Sequence, residues 1–364
     1  MDRIRIAVVG YGRRGKDHVR RILEQEDFEL VCVCDRDGER LAEAETAFGC
    51  DVRLEQDIAA VARRDDIAAV AIATPQFSHR DLAVEAFGHG KHVFCEKPLA
   101  CTVRECDDMI AAAREADRAF IVGQQMRYHL HLQRIAGLIQ DGEIGQPIMI
   151  WLNEMRGPFR VSPEHMWIFD RAKSGGLLVE KSCHHFDLFN WFALSSPVSV
   201  YASGGQDVFH ELAGVKSNIC DNAWVVVNYE SGARAMLGLS MFLGRSHPRE
   251  GGIGYHRRDI GVAGEHGLIQ TEGALPRYAI EIHPSTSRNA TRIQMDTSGA
   301  VPTPFNQEGN VGIFMDFAAC IREGREPFAG GKAGRDALAV SLAAERSIEE
   351  NRLVEIGEIC SLQA

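Results

Sequence analysis

The chain has 364 residues, 45% of them hydrophobic and 25% charged, which is the balance of a globular protein long enough for two domains. A formal net charge of −11 disfavours nucleic acid or an anionic membrane as the main partner. No apolar run of about 18 residues is present, so the sequence predicts no membrane span. The chain enters an apolar strand-like segment directly, without the pattern of a signal peptide, and we expect a cytoplasmic protein.

The ten cysteines are scattered without a C-x-x-C pair or a regular framework. Cys32 and Cys34 alternate with valines, as side chains packed in a strand do. Free buried thiols in a reducing compartment explain this usage better than a disulfide scaffold does. The spacing gives little support for zinc, and no metal site is predicted.

The first motif is a glycine-rich turn between a strand and a helix. Residues 4–10, IRIAVVG, form an apolar run typical of a buried parallel strand. Gly10, Gly12 and Gly15 follow in the G-x-G-x-x-G spacing, and KDHVRRILEQ has the composition of a helix. Such glycines allow a tight turn, close approach of a pyrophosphate and close helix–strand packing, while the helix N-terminus presents free N–H groups. A dinucleotide site is therefore predicted here.

A second strand, FELVCVCDRD, ends in Asp35, twenty residues after Gly15. An acidic residue at that position accepts hydrogen bonds from the adenosine ribose hydroxyls and repels a 2′-phosphate. The sequence therefore favours NAD over NADP as the cofactor. Two alternatives stay open: Arg36 could stack on adenine or tolerate a phosphate, and Asp35 could merely cap the following helix.

Strand-like and helix-like segments then alternate as far as residue 124, which is the pattern of a doubly wound parallel sheet. Ligands bind such sheets at the carboxyl ends of the strands. Polar residues fall at these ends in IAAVAIATP, KHVFCEKP and RAFIVGQQ. The candidate cofactor-binding residues are Gly10, Tyr11, Gly12, Arg13, Arg14, Gly15, Asp35, Arg36, Thr74, Pro75, His79, Glu96, Lys97 and Gln124.

With these segments in order, the chain resembles the Gfo/Idh/MocA family of nicotinamide-dependent oxidoreductases. The resemblance covers nearly the whole chain and rests on GYGRRG, ATPQFSH, GKHVFCEKPLA, GEIGQP and SGGLLVEKSCHHFDLFNWF. It implies an N-terminal Rossmann domain over residues 1–124. It also implies an α/β domain over residues 125–364, with a large open, mostly antiparallel sheet that binds substrate and pairs subunits into a homodimer or homotetramer.

The resemblance also implies a reaction, the transfer of a hydride between nicotinamide and a secondary alcohol or ketone of an inositol-like polyol, a sugar or a sugar derivative. It places Lys97 beside the nicotinamide and His184 across the substrate. The hydroxyl proton needs a positioned base, and both a partly desolvated lysine and a histidine titrate close enough to neutrality. Lys97, His184 and Glu180 are the predicted catalytic residues. Which of Lys97 and His184 moves the proton stays open.

The segment VEKSCHHFD departs from the family's commoner L-D-x-G-x-H-x-x-D pattern. Glu180 stands where aspartate is usual, and Ser182 and His185 replace a common glycine and a common acidic residue. On a continuous helix, Glu180 and His184 would share one face, with Lys181 and His185 on the adjacent one. A metal site on this cluster is the less favoured alternative, because the resemblance accounts for Glu180 and His184 without a metal.

Other residues and functions stay open. His79 either contacts the cofactor or braces its loop, and Arg127 and Tyr128 either line the cleft or pack the domain junction. The stretch GRSHPREGGIGYHRRD, with His247, is either a loop over the pocket or a solvated excursion. The alternatives to a dehydrogenase are a redox-neutral enzyme that cleaves glycosides by transient sugar oxidation and a non-catalytic NAD-binding regulator.

Overall fold

The computed structural model describes residues 2–159, 161–212, 214–243, 256–274, 277–296 and 307–361. The glycine-rich stretch 244–255, which contains His247, lies outside these ranges. The chain forms two compact units. The first comprises Met1–Gln125 with Gly309–Leu338, and the second comprises Met126–Glu308 with Ala339–Ala364.

The first unit is built on a six-stranded parallel sheet. Its strands are β1 (Ile4–Val9), β2 (Phe28–Cys34), β3 (Arg53–Glu55), β4 (Ala69–Ile72), β5 (His92–Cys95) and β6 (Phe120–Val122). They lie in the order β3-β2-β1-β4-β5-β6, so the winding reverses between β1 and β4. This arrangement is that of a dinucleotide-binding sheet, and it confirms the predicted doubly wound fold.

Five helices alternate with these strands: α1 (Arg13–Leu23), α2 (Gly38–Phe48), α3 (Ile58–Ala62), α4 (His79–Gly88) and α5 (Val103–Ala116). Hydrogen bonds to nearby side chains cap the N-termini of several of these helices. Asp37 and Asp57 accept backbone N–H groups at the starts of α2 and α3, and Thr102 and Glu105 form a capping box at the start of α5. These helix starts are therefore encoded locally in the sequence.

The second unit contains β7 (Pro147–Arg156), β8 (Pro197–Gly205), β9 (Glu211–Leu212), β10 (Val215–Lys216), β11 (Asn222–Tyr229), β12 (Arg234–Ser240), β13 (His256–Gly264), β14 (Gly267–Ala274), β15 (Arg277–Pro284), β16 (Thr291–Asp296) and β17 (Val354–Glu355). Nine of them form one sheet in the order β16-β15-β14-β13-β7-β12-β11-β8-β17, and β9 pairs with β10. Within the described strands of the large sheet, β7 and β12 are parallel and all other neighbours are antiparallel. This confirms the predicted large, mostly antiparallel sheet.

The remaining helices are α6 (Leu130–Gln140), α7 (Arg171–Ser174), α8 (Leu177–Glu180), α9 (Cys183–Ala193), α10 (Gln307–Glu323), α11 (Gly331–Glu350) and α12 (Ile356–Ser361). Short 3-10 helices span Gln76–Ser78, Gln125–Tyr128 and Pro163–Phe169. Helix α9 packs on β7 and β12 within the second unit. Within the described part of the chain, no helix combines the length and the apolar character that crossing a membrane requires.

Helix α10 supplies aromatic residues to the core of the first unit. Phe314 stacks on Phe94 with ring centroids 4.9 Å apart, and Phe317 stacks on Phe28 at 6.1 Å. These residues belong to the segment Gly309–Leu338, which groups with the first unit, whereas the sequence-based division assigned all of 125–364 to the second domain. An apolar helix face does not by itself identify the sheet that it covers, so the sequence did not predict this association.

Candidate functional site

The glycine-rich turn joins β1 to α1 through backbone contacts that leave no room for side chains. Gly10 has φ +92°, and a Cβ there would lie 2.9 Å from the carbonyl carbon of Ala73. A Cβ on Gly15 would overlap the carbonyl oxygen of Gly10. The tight turn and the close helix–strand packing expected of this motif therefore have direct steric causes.

The N-terminus of α1 suits an anionic ligand. Gly12 occupies the N-cap position, so no side chain caps the first-turn N–H groups. The first turn carries no acidic residue and begins with Arg13 and Arg14, although the helix dipole by itself disfavours positive charge at this end. These donors fit the pyrophosphate of a dinucleotide.

Asp35 is buried at the end of β2 and holds the glycine-rich turn. Its Oδ2 accepts the N–H of Tyr11 at 2.6 Å, and its Oδ1 accepts the N–H of Asp37 at 2.9 Å. The side chain that caps α2 is Asp37, not Asp35. Asp35 therefore acts on the turn and on the loop that follows β2, and the capping role that the sequence left open belongs to its neighbour.

Arg40, which the sequence reasoning missed, lies beside Asp35. Its Nη1 donates to Asp35 Oδ2 at 3.3 Å and would be 3.5 Å from a Cβ on Gly12. Arg36, by contrast, is exposed. The signal that could have identified Arg40 is its place at the start of the predicted helix after Asp35, where a long side chain can reach back to the strand end.

Tyr11, Thr74 and Pro75 contribute mainly through the backbone and through packing. The Tyr11 ring is buried edge-to-face against Phe48, with ring centroids 6.3 Å apart. Pro75 is the residue before the 3-10 helix Gln76–Ser78, and the hydroxyl of Ser78 donates to Thr74 Oγ1 at 2.8 Å. The loop after β4 is thus closed by its own hydrogen bonds.

His79 braces this loop. Nδ1 of the buried ring lies 3.1 Å from the carbonyl oxygen of Leu99, and Nε2 lies 2.8 Å from that of Thr74. Burial lowers the pKa of His79, whereas the carbonyl groups of Thr74 and Leu99 act in the opposite direction. The ring therefore ties the end of β4 to the segment after β5, which is the bracing role that the sequence left open.

Glu96 is a buried anchor at the end of β5. Its Oε1 lies 2.5 Å from Nε of Arg14 and 2.8 Å from Nε2 of His18, and its Oε2 accepts the N–H of Lys97 at 3.1 Å. Burial alone would raise the pKa of Glu96, but Arg14, His18 and Lys97 hold it well below its usual value. A Cβ on Gly123 would lie 2.9 Å from Glu96 Oε2, so the end of β6 leaves room for the carboxylate. An ionised carboxylate therefore holds the backbone that carries Lys97.

Lys97 and Gln124 complete the polar edge of the first unit. Lys97 is partly exposed and precedes Pro98 through a cis peptide bond. Gln124 is buried at the end of β6, and its N–H bonds the carbonyl oxygen of Val122 at 2.6 Å. The predicted cofactor-binding residues of the first unit thus lie at the carboxyl ends of β1, β2, β4, β5 and β6, and Arg36 is exposed there.

Glu180 and His184, in the second unit, lie on two short helices. Helix α8 ends at Glu180 and α9 begins at Cys183, so the continuous helix considered from the sequence is interrupted at Lys181 and Ser182. Ser182 has φ −91° and ψ −4°, away from regular helical values, which explains the interruption. Glu180 and His184 are both buried.

The glycine pair before α8 makes room for a buried carboxylate, Glu345 of α11. Gly176 has φ +104°, and a Cβ there would overlap this carboxylate. Oε1 of Glu345 accepts the N–H of Leu178 at 2.7 Å, and Oε2 lies 3.4 Å from Nη2 of Arg171. Burial raises the pKa of Glu345 to about 7. Glu345, which the sequence did not single out, therefore positions the helix that ends in Glu180.

Arg127 and Asp187 form a two-pronged ion pair. Nε and Nη2 of Arg127 donate to Oδ2 and Oδ1 of Asp187 at 2.8 and 2.7 Å, and the guanidinium carbon lies 5.5 Å from the centre of the Trp191 ring. Asp187 is buried. The pair links the 3-10 helix Gln125–Tyr128 to α9, so it fixes the helix that carries His184.

Glu154 of β7 is fully buried among basic side chains. Nε2 of His185 lies 2.6 Å from its Oε2, and Nζ of Lys181 lies 3.1 Å from its Oε1. Nη1 of Arg156 and Nη2 of Arg258 lie 3.7 and 3.4 Å from the same carboxylate. We call these five residues the Glu154 cluster. The sequence suggested that Lys181 and His185 share a face, but their common partner lies on a distant strand that local spacing cannot identify.

Among the described residues, no group of three or more His, Cys, Asp or Glu side chains is arranged to hold a metal ion. The ten cysteines all carry free thiols.

Comparison with known proteins agrees with this architecture. The profile of an oxidoreductase family's NAD-binding Rossmann fold matches residues 4–124, and that of its C-terminal alpha/beta domain matches residues 136–356. An inositol 2-dehydrogenase of Rhizobium meliloti is 30% identical over 354 residues, which are 97% of this chain and 99% of that protein. A 2,7-anhydro-N-acetylneuraminate hydratase of Mediterraneibacter gnavus is 27% identical, with 99% and 98% of the two chains covered.

A solved structure shares the fold over nearly the same length. It is a Sinorhizobium meliloti protein with a TM-score of 0.76 and 27% identity, and the match covers 97% of this chain and 99% of that one. The two profiles together span most of the sequence, in the order of the two parts of the chain. The chain therefore belongs to the Gfo/Idh/MocA family of NAD-binding oxidoreductases.

Proposed function

We propose that this protein is an NAD(H)-dependent dehydrogenase that interconverts a secondary alcohol and a ketone on a polyol, a sugar or a sugar derivative. The observation that carries the proposal is the anchoring of Lys97. Lys97 follows Glu96 in the chain and donates its backbone N–H to the Glu96 carboxylate. Arg14 and His18 keep this buried carboxylate ionised, at the edge of the parallel sheet where dinucleotide-binding folds hold their ligands. Family membership and the 30% identical inositol 2-dehydrogenase support the substrate class.

The cofactor would be held by the chain's own donors at the ends of β1 and β2. The N–H groups at the start of α1 and the side chains of Arg13 and Arg14 suit the pyrophosphate, and Asp35 suits the ribose hydroxyls. Asp35 also supports the preference for NAD over NADP, because its carboxylate repels a 2′-phosphate. When bound, nicotinamide supplies the hydride acceptor or donor.

Lys97 and His184 handle the substrate oxygen and its proton in this proposal. An ammonium at Lys97 stabilises negative charge that develops on the oxygen, and the imidazole of His184 accepts or returns the proton. Glu180 hydrogen-bonds a substrate hydroxyl from the end of α8. The buried Arg127–Asp187 pair keeps α9 in place, so that His184 does not have to reorganise during the reaction.

A redox-neutral reaction is the second candidate. The hydratase relative is 27% identical over nearly the whole chain, and the segment VEKSCHHFD departs from the family's commoner pattern. Such an enzyme would oxidise a sugar transiently, break a bond to it and then return the hydride, so that no NADH accumulates. A non-catalytic regulator has no comparable support.

Hydride transfer tests the proposal directly. The protein is incubated with NAD and a panel of inositols, aldoses and glycosides, and both NADH absorbance and release of the aglycone are followed. NADH formation supports the dehydrogenase, and aglycone release without NADH supports the second candidate. Lys97→Ala should strongly reduce either signal, whereas exposed Lys332→Ala should not. Absence of both signals with every compound, despite bound NAD, would overturn both reactions.

We also propose that copies of the chain associate through the large sheet of the second unit and that the protein is cytoplasmic. One face of the sheet exposes apolar residues from four adjacent strands, namely Met149, Tyr201, Trp224 and Met236. Exposed apolar surface of this kind is typical of subunit interfaces. The ten free thiols suit a reducing compartment. Sedimentation of the wild type and of Trp224→Glu tests the association, which the charge should weaken.

A further inference from the structure

The Glu154 cluster carries more positive than negative charge. Arg156, Lys181 and Arg258 each have a side-chain nitrogen within 4 Å of a carboxylate oxygen of Glu154. Among the described residues, each of the three forms its ion pair with this carboxylate. Burial lowers the pKa of His185 to about 4, so this ring adds no charge near neutral pH. Three cations therefore share one carboxylate.

Other buried ionic groups in the chain are balanced differently. Asp187 is met by Arg127, and Glu96 is met by Arg14 and His18. The cations of the Glu154 cluster are themselves largely removed from water, with side-chain exposures of 24% for Arg156, 13% for Lys181 and 14% for Arg258. Burying unmatched charge is unfavourable, and a bound anion relieves it.

Some side chains of the Glu154 cluster can form further hydrogen bonds. A guanidinium has five N–H donors, and Nε of Arg258 is buried with no hydrogen-bond partner among the described residues. Nδ1 of fully buried His185 likewise has none. Because Nε2 of the neutral ring donates to Glu154, Nδ1 is an acceptor that suits a hydroxyl. The cluster thus offers charged donors for an oxyanion and an acceptor for a neighbouring hydroxyl.

The position of the cluster connects it with the proposed reaction. Lys181 follows Glu180 and His185 follows His184 directly in the sequence, and consecutive Cα atoms are about 3.8 Å apart. A substrate held by Glu180 and His184 therefore lies next to the elements that carry these cations.

We propose that the Glu154 cluster binds an oxyanion on the substrate, so that the enzyme acts on an acidic sugar or polyol that carries a carboxylate or a phosphate. This inference rests on the proposed function for the reaction, but the binding of an oxyanion is independent of it. Arg156, Lys181 and Arg258 bind the anion. Glu154 positions them by attraction and partly offsets their mutual repulsion.

Matched pairs of neutral and acidic probes test the inference in the presence of NAD. D-glucose is compared with D-gluconate and D-glucuronate as carboxylates and with D-glucose 6-phosphate as a phosphate, by calorimetric affinity and by KM wherever turnover occurs. We expect at least tenfold tighter binding of one acidic class, and the class that binds identifies the anion. Equal or weaker binding of both acidic classes overturns the inference, and so does their failure to bind at millimolar concentration. Turnover of neutral sugars alone would leave the proposed function standing.

Neighbouring arginines on β13 provide a matched pair of variants. Arg258→Gln removes a cluster donor, whereas Arg257→Gln removes an exposed guanidinium that pairs with Asp259 at the surface. Loss of a charge-assisted hydrogen bond should weaken acidic-probe binding by about 10- to 100-fold in Arg258→Gln and leave Arg257→Gln unchanged. Arg156→Gln, which lies at the more exposed side, repeats the test if Arg258→Gln does not fold. Equal losses in the Arg257 and Arg258 variants overturn the assignment.

The pH dependence of acidic-probe affinity distinguishes a role of Lys181 in anion binding from a purely structural role. Burial lowers the pKa of Lys181 to about 8, and the groups that face it are Glu154, Arg156, Arg258 and His185. Acidic-probe affinity should therefore fall as the pH rises through this range, because Lys181 loses its charge. Lys181→Arg, which stays protonated, should flatten that fall. Identical pH profiles in wild type and Lys181→Arg would remove Lys181 from the site.

Discussion

Replacing Glu345 by glutamine should remove a pH-dependent loss of stability in the second unit. The carboxyl lies between the N–H of Leu178 and the guanidinium of Arg171, and burial raises its pKa from 4.5 to about 7. A carboxyl whose pKa is raised by folding stabilises the folded state below its unfolded pKa. That stability is lost as the pH rises through the folded pKa.

The size of this change in the free energy of unfolding follows from the pH range between the unfolded and folded pKa values of Glu345. One pKa unit corresponds to about 1.4 kcal/mol, so the shift of Glu345 corresponds to about 3 kcal/mol in full. Between about pH 5.5 and pH 7 the folded protein retains the proton while the unfolded chain has released it. The free energy of unfolding should therefore fall by about 2 kcal/mol over this range because of this one group.

Urea unfolding followed by tryptophan fluorescence measures this change in the relevant unit, because all four tryptophans lie between residues 126 and 308. Glu345→Gln keeps an acceptor for Leu178 but does not titrate, so its stability relative to wild type should rise by about 2 kcal/mol from about pH 5.5 to pH 8. Glu143→Gln, which removes an exposed carboxylate elsewhere in the second unit, should follow the wild type. Parallel pH profiles for wild type and Glu345→Gln would refute the reasoning.

Three further outcomes are expected. Lys97→Ala should lower turnover by about 10²- to 10⁴-fold with little change in NAD affinity, and unchanged turnover would remove Lys97 from catalysis. Asp35→Ala should relax the preference for NAD, because it removes the acid and frees Arg40 for a 2′-phosphate; an unchanged ratio of kcat/KM for NAD and NADP would contradict this. Gly15→Ala should abolish NAD binding in calorimetry because its Cβ overlaps the turn, whereas Gly88→Ala, with no atom within 4 Å of the new Cβ, should bind normally.

Much of the first unit could be predicted from the sequence, because the relevant signals are local. Gly10 and Gly15 lie in one turn, and the steric demands on them follow from a strand passing directly into a helix. Apolar runs alternating with amphipathic segments predict the parallel sheet, and the strand ends then identify the polar residues at its edge. The bracing role of His79 was one of two alternatives, since only coordinates show where the ring nitrogens lie.

The partners of the buried charges were decided by tertiary structure. Glu96 was a candidate cofactor ligand in the sequence, but folding places Arg14 and His18 of α1 against it and makes it the anchor of Lys97. Glu345 is 169 residues away from Gly176, and no local pattern connects a glycine pair with a carboxylate on a distant helix.

The Glu154 cluster shows the same division most clearly. By itself the sequence suggested that Lys181 and His185 could share a helical face, although the helix is interrupted between them. Only the sheet brought Glu154, Arg156 and Arg258 to these two residues, through the antiparallel pairing of Glu154 with Arg258 across β7 and β13. Local propensity and periodicity determine elements, whereas the net charge of a buried site is a sum over residues that meet only when those elements pack.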